Sequence, residues 1–164
     1  SRSLMPEYGG QDGPHPALAR SYVELGDMGN AGDVLTEFSR LNDKDEWAFG
    51  ELARIRESQG DLEGAVNALR RIPWVHPYDA TVYDRMADLG GQAGDWTSVV
   101  ASRTALLALN PVDRAQALYE LALAQHSAGD DRGARTSVIE ALEIAPNFEA
   151  ALELLLEIRE GDDR

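Results

Sequence analysis

The sequence predicts an all-α chain, a helical-repeat solenoid of four helix-turn-helix pairs followed by one closing helix. Three observations carry that reading. Gly-Asp pairs recur at Gly26-Asp27, Gly60-Asp61, Gly94-Asp95 and Gly129-Asp130, with intervals of 34, 34 and 35 residues between the glycines. Prolines give a second ruler of the same length, since Pro77, Pro111 and Pro146 lie 34 and 35 residues apart. Alanine and leucine are abundant while only 7% of residues are aromatic, and both common side chains cost little in a helical backbone.

Residues 1–11 read as a lead-in segment or linker, and the breakers Gly9-Gly10, Gly13 and Pro14 extend that linker or strap character to about residue 14. Residues 12–160 read as a single domain. Its first unit, about 12–45, has an amphipathic stretch at Leu18-Ala19-Arg20-Ser21-Tyr22 and, beyond Gly26-Asp27, a second one through Ala31, Leu35 and Phe38. The second unit, 46–79, repeats this with Leu52-Ala53-Arg54-Ile55 and then Ala65, Leu69 and Ile72. Pro73 falls in the last turn of that second helix, which is therefore expected to end near Arg71. The third unit, 80–114, runs through Met86-Ala87-Asp88-Leu89 and then Val99 and Leu106. Gly90-Gly91 lies inside its first helix, where each glycine costs about 1 kcal/mol relative to alanine. That pair reads as a close backbone approach, a hinge, or a weak turn that packing tolerates. The fourth unit, 115–148, carries Leu121-Ala122-Leu123-Ala124 and then Ala134, Val138, Ala141 and Leu142. Residues 149–160 begin like a fifth unit, and Glu149, Glu153, Glu157 and Glu160 suit the polar outer face of a capping helix. Residues 161–164 form a tail.

Local chemistry explains the turns. Glycine ends each first helix because it enters the left-handed region without a Cβ penalty. The aspartate that follows can accept a bond from the free N–H groups opening the next helix. Proline then closes the unit, since it cannot extend the ladder but suits a helix start. Small residues recur at one place on each first helix (Ala19, Ala53, Ala87, Ala122) and on each second helix (Ala31, Ala65, Val99, Ala134), so that neighbouring helices can approach closely.

In period, two-helix unit and terminal proline the chain resembles the tetratricopeptide repeat family. The unit 115–148 matches without a gap through Leu118, Leu121, Ala122, Gly129, Ala134, Ala141 and Pro146. The unit 46–79 matches through Phe49, Leu52, Ala53, Gly60, Ala65, Ile72 and Pro77. The third matches through Tyr83, Met86, Ala87, Gly94, Val99, Leu106 and Pro111, with Arg114 inserted. The first lacks the closing proline. The resemblance implies a right-handed superhelix whose first helices line a concave groove that binds protein. A narrower resemblance, to repeat tails of large bacterial metallopeptidase-like proteins, is carried by Pro77-Tyr78-Asp79, Gly94-Asp95-Trp96, the run 110–115 and the run 140–146. It implies an accessory domain, because the His-Glu-x-x-His signature is absent from this chain.

The net charge of -14, from 29 acidic and 15 basic residues, disfavours nucleic acid and anionic membrane surfaces as partners. No apolar run approaches the roughly 20 residues that span a bilayer. The chain has no cysteine, which excludes disulfide and thiol chemistry. It opens on Ser1-Arg2-Ser3-Leu4, with neither an initiator methionine nor a signal peptide, and so reads as part of a longer or processed protein. His15, His76 and His126 have no histidine or cysteine at helical ligand spacing, and no phosphate loop or nucleophile elbow occurs. No enzyme activity, cofactor or metal is expected. Trp96 and Trp74 read as packing residues, the latter wedging the junction after Pro73, whereas Trp47 stands out as a candidate contact.

The register of the first helices nominates the partner-binding groove: Arg20 and Glu24 from the first unit, Trp47, Arg54 and Glu57 from the second, Asp84, Asp88 and Gln92 from the third, and Tyr119, Leu123 and His126 from the fourth. Trp47, Tyr119 and Leu123 are the expected apolar anchors, and an acidic ligand feature is expected near Arg20 and Arg54. The Lys/Asn clamp of chaperone-tail binders is missing, since its places hold Pro16, Arg20, Gly50, Arg54, Asp84 and Asp88. The expected function is a protein-protein interaction scaffold that binds a protein or peptide ligand. The alternatives are head-to-tail self-association into oligomers or filaments and the metallopeptidase accessory role.

Overall fold

Each Gly-Asp pair builds a complete helix-to-helix corner. The four glycines hold positive φ, at 75° (Gly26), 77° (Gly60), 74° (Gly94) and 81° (Gly129). Behind each glycine the aspartate N–H reaches back five residues, from Asp27 to Tyr22, Asp61 to Arg56, Asp95 to Gly90 and Asp130 to Gln125, at 2.8–2.9 Å. The glycine N–H bonds the carbonyl three residues back in the same corner, completing the Schellman arrangement. The aspartate side chain then accepts from the backbone N–H three residues ahead, at Asn30, Gly64, Ser98 and Gly133. One residue thus closes one helix with its backbone and opens the next with its carboxylate.

The computed structural model describes residues 13–162. Two compact units divide the chain, residues 1–77 and 78–164. The first holds α1 (Pro14–Glu24), α2 (Met28–Leu41), α3 (Glu46–Ser58), α4 (Leu62–Leu69) and a 3-10 turn, Ile72–Trp74. The second holds α5 (Ala80–Ala93), α6 (Trp96–Ala108), α7 (Arg114–Ser127), α8 (Asp131–Ile144) and α9 (Glu149–Asp162). No strand occurs among the described residues. The expected lead-in segment 1–11 and the last two residues of the tail lie outside them.

In the first unit α1 packs on α2, α2 on α3 and α3 on α4. Its core is Leu35, Phe38, Phe49, Leu52, Ile55, Val66, Leu69 and Ile72, all buried. In the second unit α5 through α9 each pack on the next, and α7 also touches α9. Ala87, Val99 and Ala124 form one cluster there, while Ala122, Ala134, Val138, Ala151, Leu154 and Ile158 form another. Every small residue of the repeat register is buried, from Ala19 to Ala134, so close helix approach is what those positions provide.

Four details depart from or sharpen the sequence expectations. Pro14 begins α1, with Gly13 as its N-cap, rather than belonging to a linker. The fourth helix ends at Leu69, two residues early, because Pro73 would collide with the Leu69 carbonyl and biases Ile72 away from helix. Trp74 does not wedge a junction: it is 86% exposed, and Ile72 takes the buried place in that turn. The outer side of α9 is mixed rather than polar, since Leu152 and Leu156 are exposed alongside Glu149, Glu153, Glu157 and Glu160.

Aspartates also open the first helices. Asp45, Asp79 and Asp113 accept from the N–H groups of Ala48, Thr81 and Gln116, and they recur every 34 residues. Gly90-Gly91 leaves α5 unbroken. A Cβ at Gly90 would stand 3.0 Å from Val99 Cγ2, so this glycine serves the approach of α5 to α6.

Candidate binding surface

Two pockets, one in each unit, gather seven of the eleven residues nominated by the register. In the first unit, α1 contributes Arg20, Val23 and Glu24 and α3 contributes Trp47, Glu51 and Arg54 to a recess of about 170 Å³. The Arg20 guanidinium lies 5.0 Å from the centroid of the Trp47 ring, a cation–π contact worth about 0.5–1 kcal/mol at an exposed place. Arg54 donates to Glu51 at 2.8 Å. That hydrogen bond, reinforced by the carboxylate charge, holds the Arg54 guanidinium above its ordinary range. Two cations therefore share this recess with two carboxylates. Glu57 is exposed on α3 outside the recess.

The second unit holds the larger pocket, about 640 Å³, between α5, α6 and α7. Its floor is the apolar cluster of Ala87, Val99 and Ala124. Trp96, 36% exposed, and Leu123, 38% exposed, line it with Gly91, Gln92 and Ser127. A Cβ at Gly91 would meet no heavy atom within 4 Å, so this glycine leaves open space at the pocket wall.

A polar wall completes the pocket. Arg103 extends from α6 with its side chain only 18% exposed, and its Nη1 lies 2.9 Å from both Asp84 Oδ1 on α5 and Glu120 Oε2 on α7. Its Nη2 is 3.7 Å from Asp88 Oδ1, beyond hydrogen-bond distance. The other Glu120 oxygen accepts from Gln116 Nε2 at 3.0 Å. Three carboxylates thus surround one guanidinium. Among the described residues no group of three or more histidine or carboxylate side chains is arranged to hold a metal ion. None of the helices described is long and apolar enough to cross a membrane.

Asp88, Gln92 and Leu123 line this pocket and Asp84 adjoins it through Arg103, but two other nominated residues do not reach it. Tyr119 stacks at a tilt on Phe148, with ring centroids 5.0 Å apart, against the core cluster of α7, α8 and α9. His126 faces the same side, its Nδ1 2.5 Å from Asp131 and its Nε2 3.8 Å from Glu157. The reason is helical phase: positions 119, 122 and 126 share one stripe of α7, whereas 120, 123, 124 and 127 share the next. Arg103, Glu120 and Trp96 were not nominated. Arg103 is a second-helix residue, and only its partners on both neighbouring helices, Asp84 and Glu120, reveal its role.

No family model matches the chain, and no curated protein matches it. Solved structures do. The crystal structure of MamA is 18% identical, with 88% of this chain aligned to 84% of that one at a TM-score of 0.57. A tetratricopeptide repeat protein from Parabacteroides merdae is 21% identical over 91% of this chain and 60% of its own, at 0.57. YrrB, a tetratricopeptide repeat protein with an unusual peptide-binding site, is 16% identical over 85% of this chain and 71% of its own, at 0.53. At such identity the likeness speaks for the backbone arrangement alone, and on that ground this chain has the all-helical repeat fold of the tetratricopeptide proteins.

Proposed function

We propose that the chain is a protein-interaction module, with no catalysis of its own, that takes a peptide segment of its partner in the α5–α7 pocket. The observation that carries this reading is the combination of a buried apolar floor with Trp96 and Leu123 left open at the rim. Concave apolar sites with a few convergent polar groups are where ligands gain affinity, and aromatic anchors dominate the energy. The peptide-binding site of the similar YrrB supports the reading by analogy of fold. The test is selection of short peptides from a displayed random library, followed by titration against Leu123→Asp. Selected peptides are expected to bind the variant at least about tenfold more weakly, the loss of one anchor's worth of contact. Equal binding to variant and native chains would remove the pocket from consideration.

A second reading is self-association, favoured by the exposed Leu152 and Leu156 on one side of α9. Light scattering over about a hundredfold range of concentration separates the two readings, because assembly follows mass action. A growing mass that Leu156→Lys abolishes would favour assembly. A constant mass would leave α9 as a solvated end. The accessory role beside a metallopeptidase-like domain has support from the four sequence runs alone.

A further inference from the structure

We infer that the α5–α7 pocket selects peptides in which a lysine or arginine stands beside an apolar side chain. This names a ligand chemistry for the peptide-binding reading above and rests on it. The floor of Ala87, Val99 and Ala124, with Leu123 beside it, accounts for the apolar side chain. The polar wall accounts for the cation. Asp88 and Glu120 supply two negative charges to the lining, and Arg103 is the one cation among the described lining residues. One formal negative charge remains over, and Asp84 adds another where it meets Arg103 next to the pocket. Asp84 and Glu120 already receive the Arg103 guanidinium at 2.9 Å, but Asp88 stands 3.7 Å off and its side chain is 65% exposed. Asp88 is therefore the acceptor left for a ligand donor.

The opposite ligand charge is disfavoured on the same ground. A carboxylate entering the pocket would meet Asp88 and Glu120, while the nearest guanidinium is held by two carboxylates of the chain itself. The chain as a whole carries -14, so long-range attraction points the same way and raises the encounter rate of cationic partners. Trp96 on the same rim gives the stem or head of that cation an aromatic face to lie on.

Three pools of labelled short peptides test this, with a central Arg-Leu, Gln-Leu or Glu-Leu pair and no other charged residue, titrated by fluorescence anisotropy against the full chain. The Arg-Leu pool is expected to bind about fivefold more tightly than the Gln-Leu pool, the scale of one partly exposed charge pair. That advantage should shrink between about 0.05 and 0.5 M salt, as screening shortens the reach of the wall. It should also vanish in Asp88→Asn and persist in Glu143→Gln, which removes an equal charge from the exposed face of α8. Circular dichroism confirms that both variants fold. Binding of all pools with the Glu-Leu pool level or ahead overturns the inference and leaves the peptide-binding reading standing. An advantage that survives Asp88→Asn also overturns it, because attraction to net charge then suffices. Binding by no pool overturns the reading beneath it and the inference together.

Discussion

Gly90 on α5 and Val99 on α6 approach so closely that a Cβ on the glycine would lie 3.0 Å from Val99 Cγ2 and 3.4 Å from the Asp95 carbonyl oxygen. The neighbouring Gly91 meets nothing within 4 Å. Two adjacent glycines of one helix thus have opposite reasons to exist. In Gly90→Ala the helix gains about 1 kcal/mol of propensity, but forcing apart a packed contact costs about 1–3 kcal/mol. A net loss of stability in urea unfolding is the expected result. Gly91→Ala has only the gain, up to about 1 kcal/mol, and should raise the midpoint while narrowing the pocket to peptides.

Gly129 holds φ at 81° in the corner between α7 and α8. Gly129→Ala should lower stability by about 1–2 kcal/mol, the cost of placing a Cβ in the left-handed region. Gly129→Asn should lose less, because asparagine tolerates that region better. A Cβ at Gly129 would meet nothing within 4 Å, so equal losses in the two variants would show that the left-handed backbone is not what selects glycine there.

The Asp27 carboxylate is held below its ordinary value of 3.8, first by the backbone N–H of Asn30 and then by the Asn30 side-chain amide. Because the folded value lies below the unfolded one, the stabilisation is complete above about pH 3.8 and disappears as pH falls through the lowered value. Carboxyl NMR titration should place the Asp27 midpoint below that of an unstructured aspartate. In Asp27→Ala the protection factor of the Asn30 amide should fall at neutral pH, and acidification should change that factor little further once the intrinsic pH dependence of exchange is divided out.

Arg103 joins α5, α6 and α7 through Asp84, Asp88 and Glu120, but the two aspartate side chains are largely exposed. Solvent screening therefore limits the worth of this network. Arg103→Met is expected to cost about 1 kcal/mol at low salt and less at high salt, as measured by denaturant unfolding. A salt-independent loss would show that the arginine stem, packed over the pocket floor, matters more than its charge.

The period, the turns and the small-residue stripes were legible because each is a local demand that residue type alone meets. A positive φ calls for glycine, and a helix start three residues before a free N–H calls for aspartate. The pocket was only half legible. The apolar residues Ala117, Leu118, Tyr119, Leu121, Ala122, Leu123 and Ala124 nearly encircle α7, so periodicity could not tell the stripe that faces α9 from the one that faces the pocket. Arg103 could not be found from first-helix register, because its role depends on partners from both neighbouring helices. Trp74 looked like a wedge in sequence, yet whether a 3-10 turn presents its first or its last side chain to the core is decided by packing.

Since a single aspartate both ends one helix and begins the next within a corner of a few residues, each helix pair meets without having to close a long loop. The contacts that hold it are short in sequence, which places the chain among rapidly folding topologies. Its breathing motions should follow the same grain. Amide protection is then expected to fall away hairpin by hairpin within each compact unit, so a partner that spans α5 to α7 would be read out as slower exchange in helices of the second unit that it never touches.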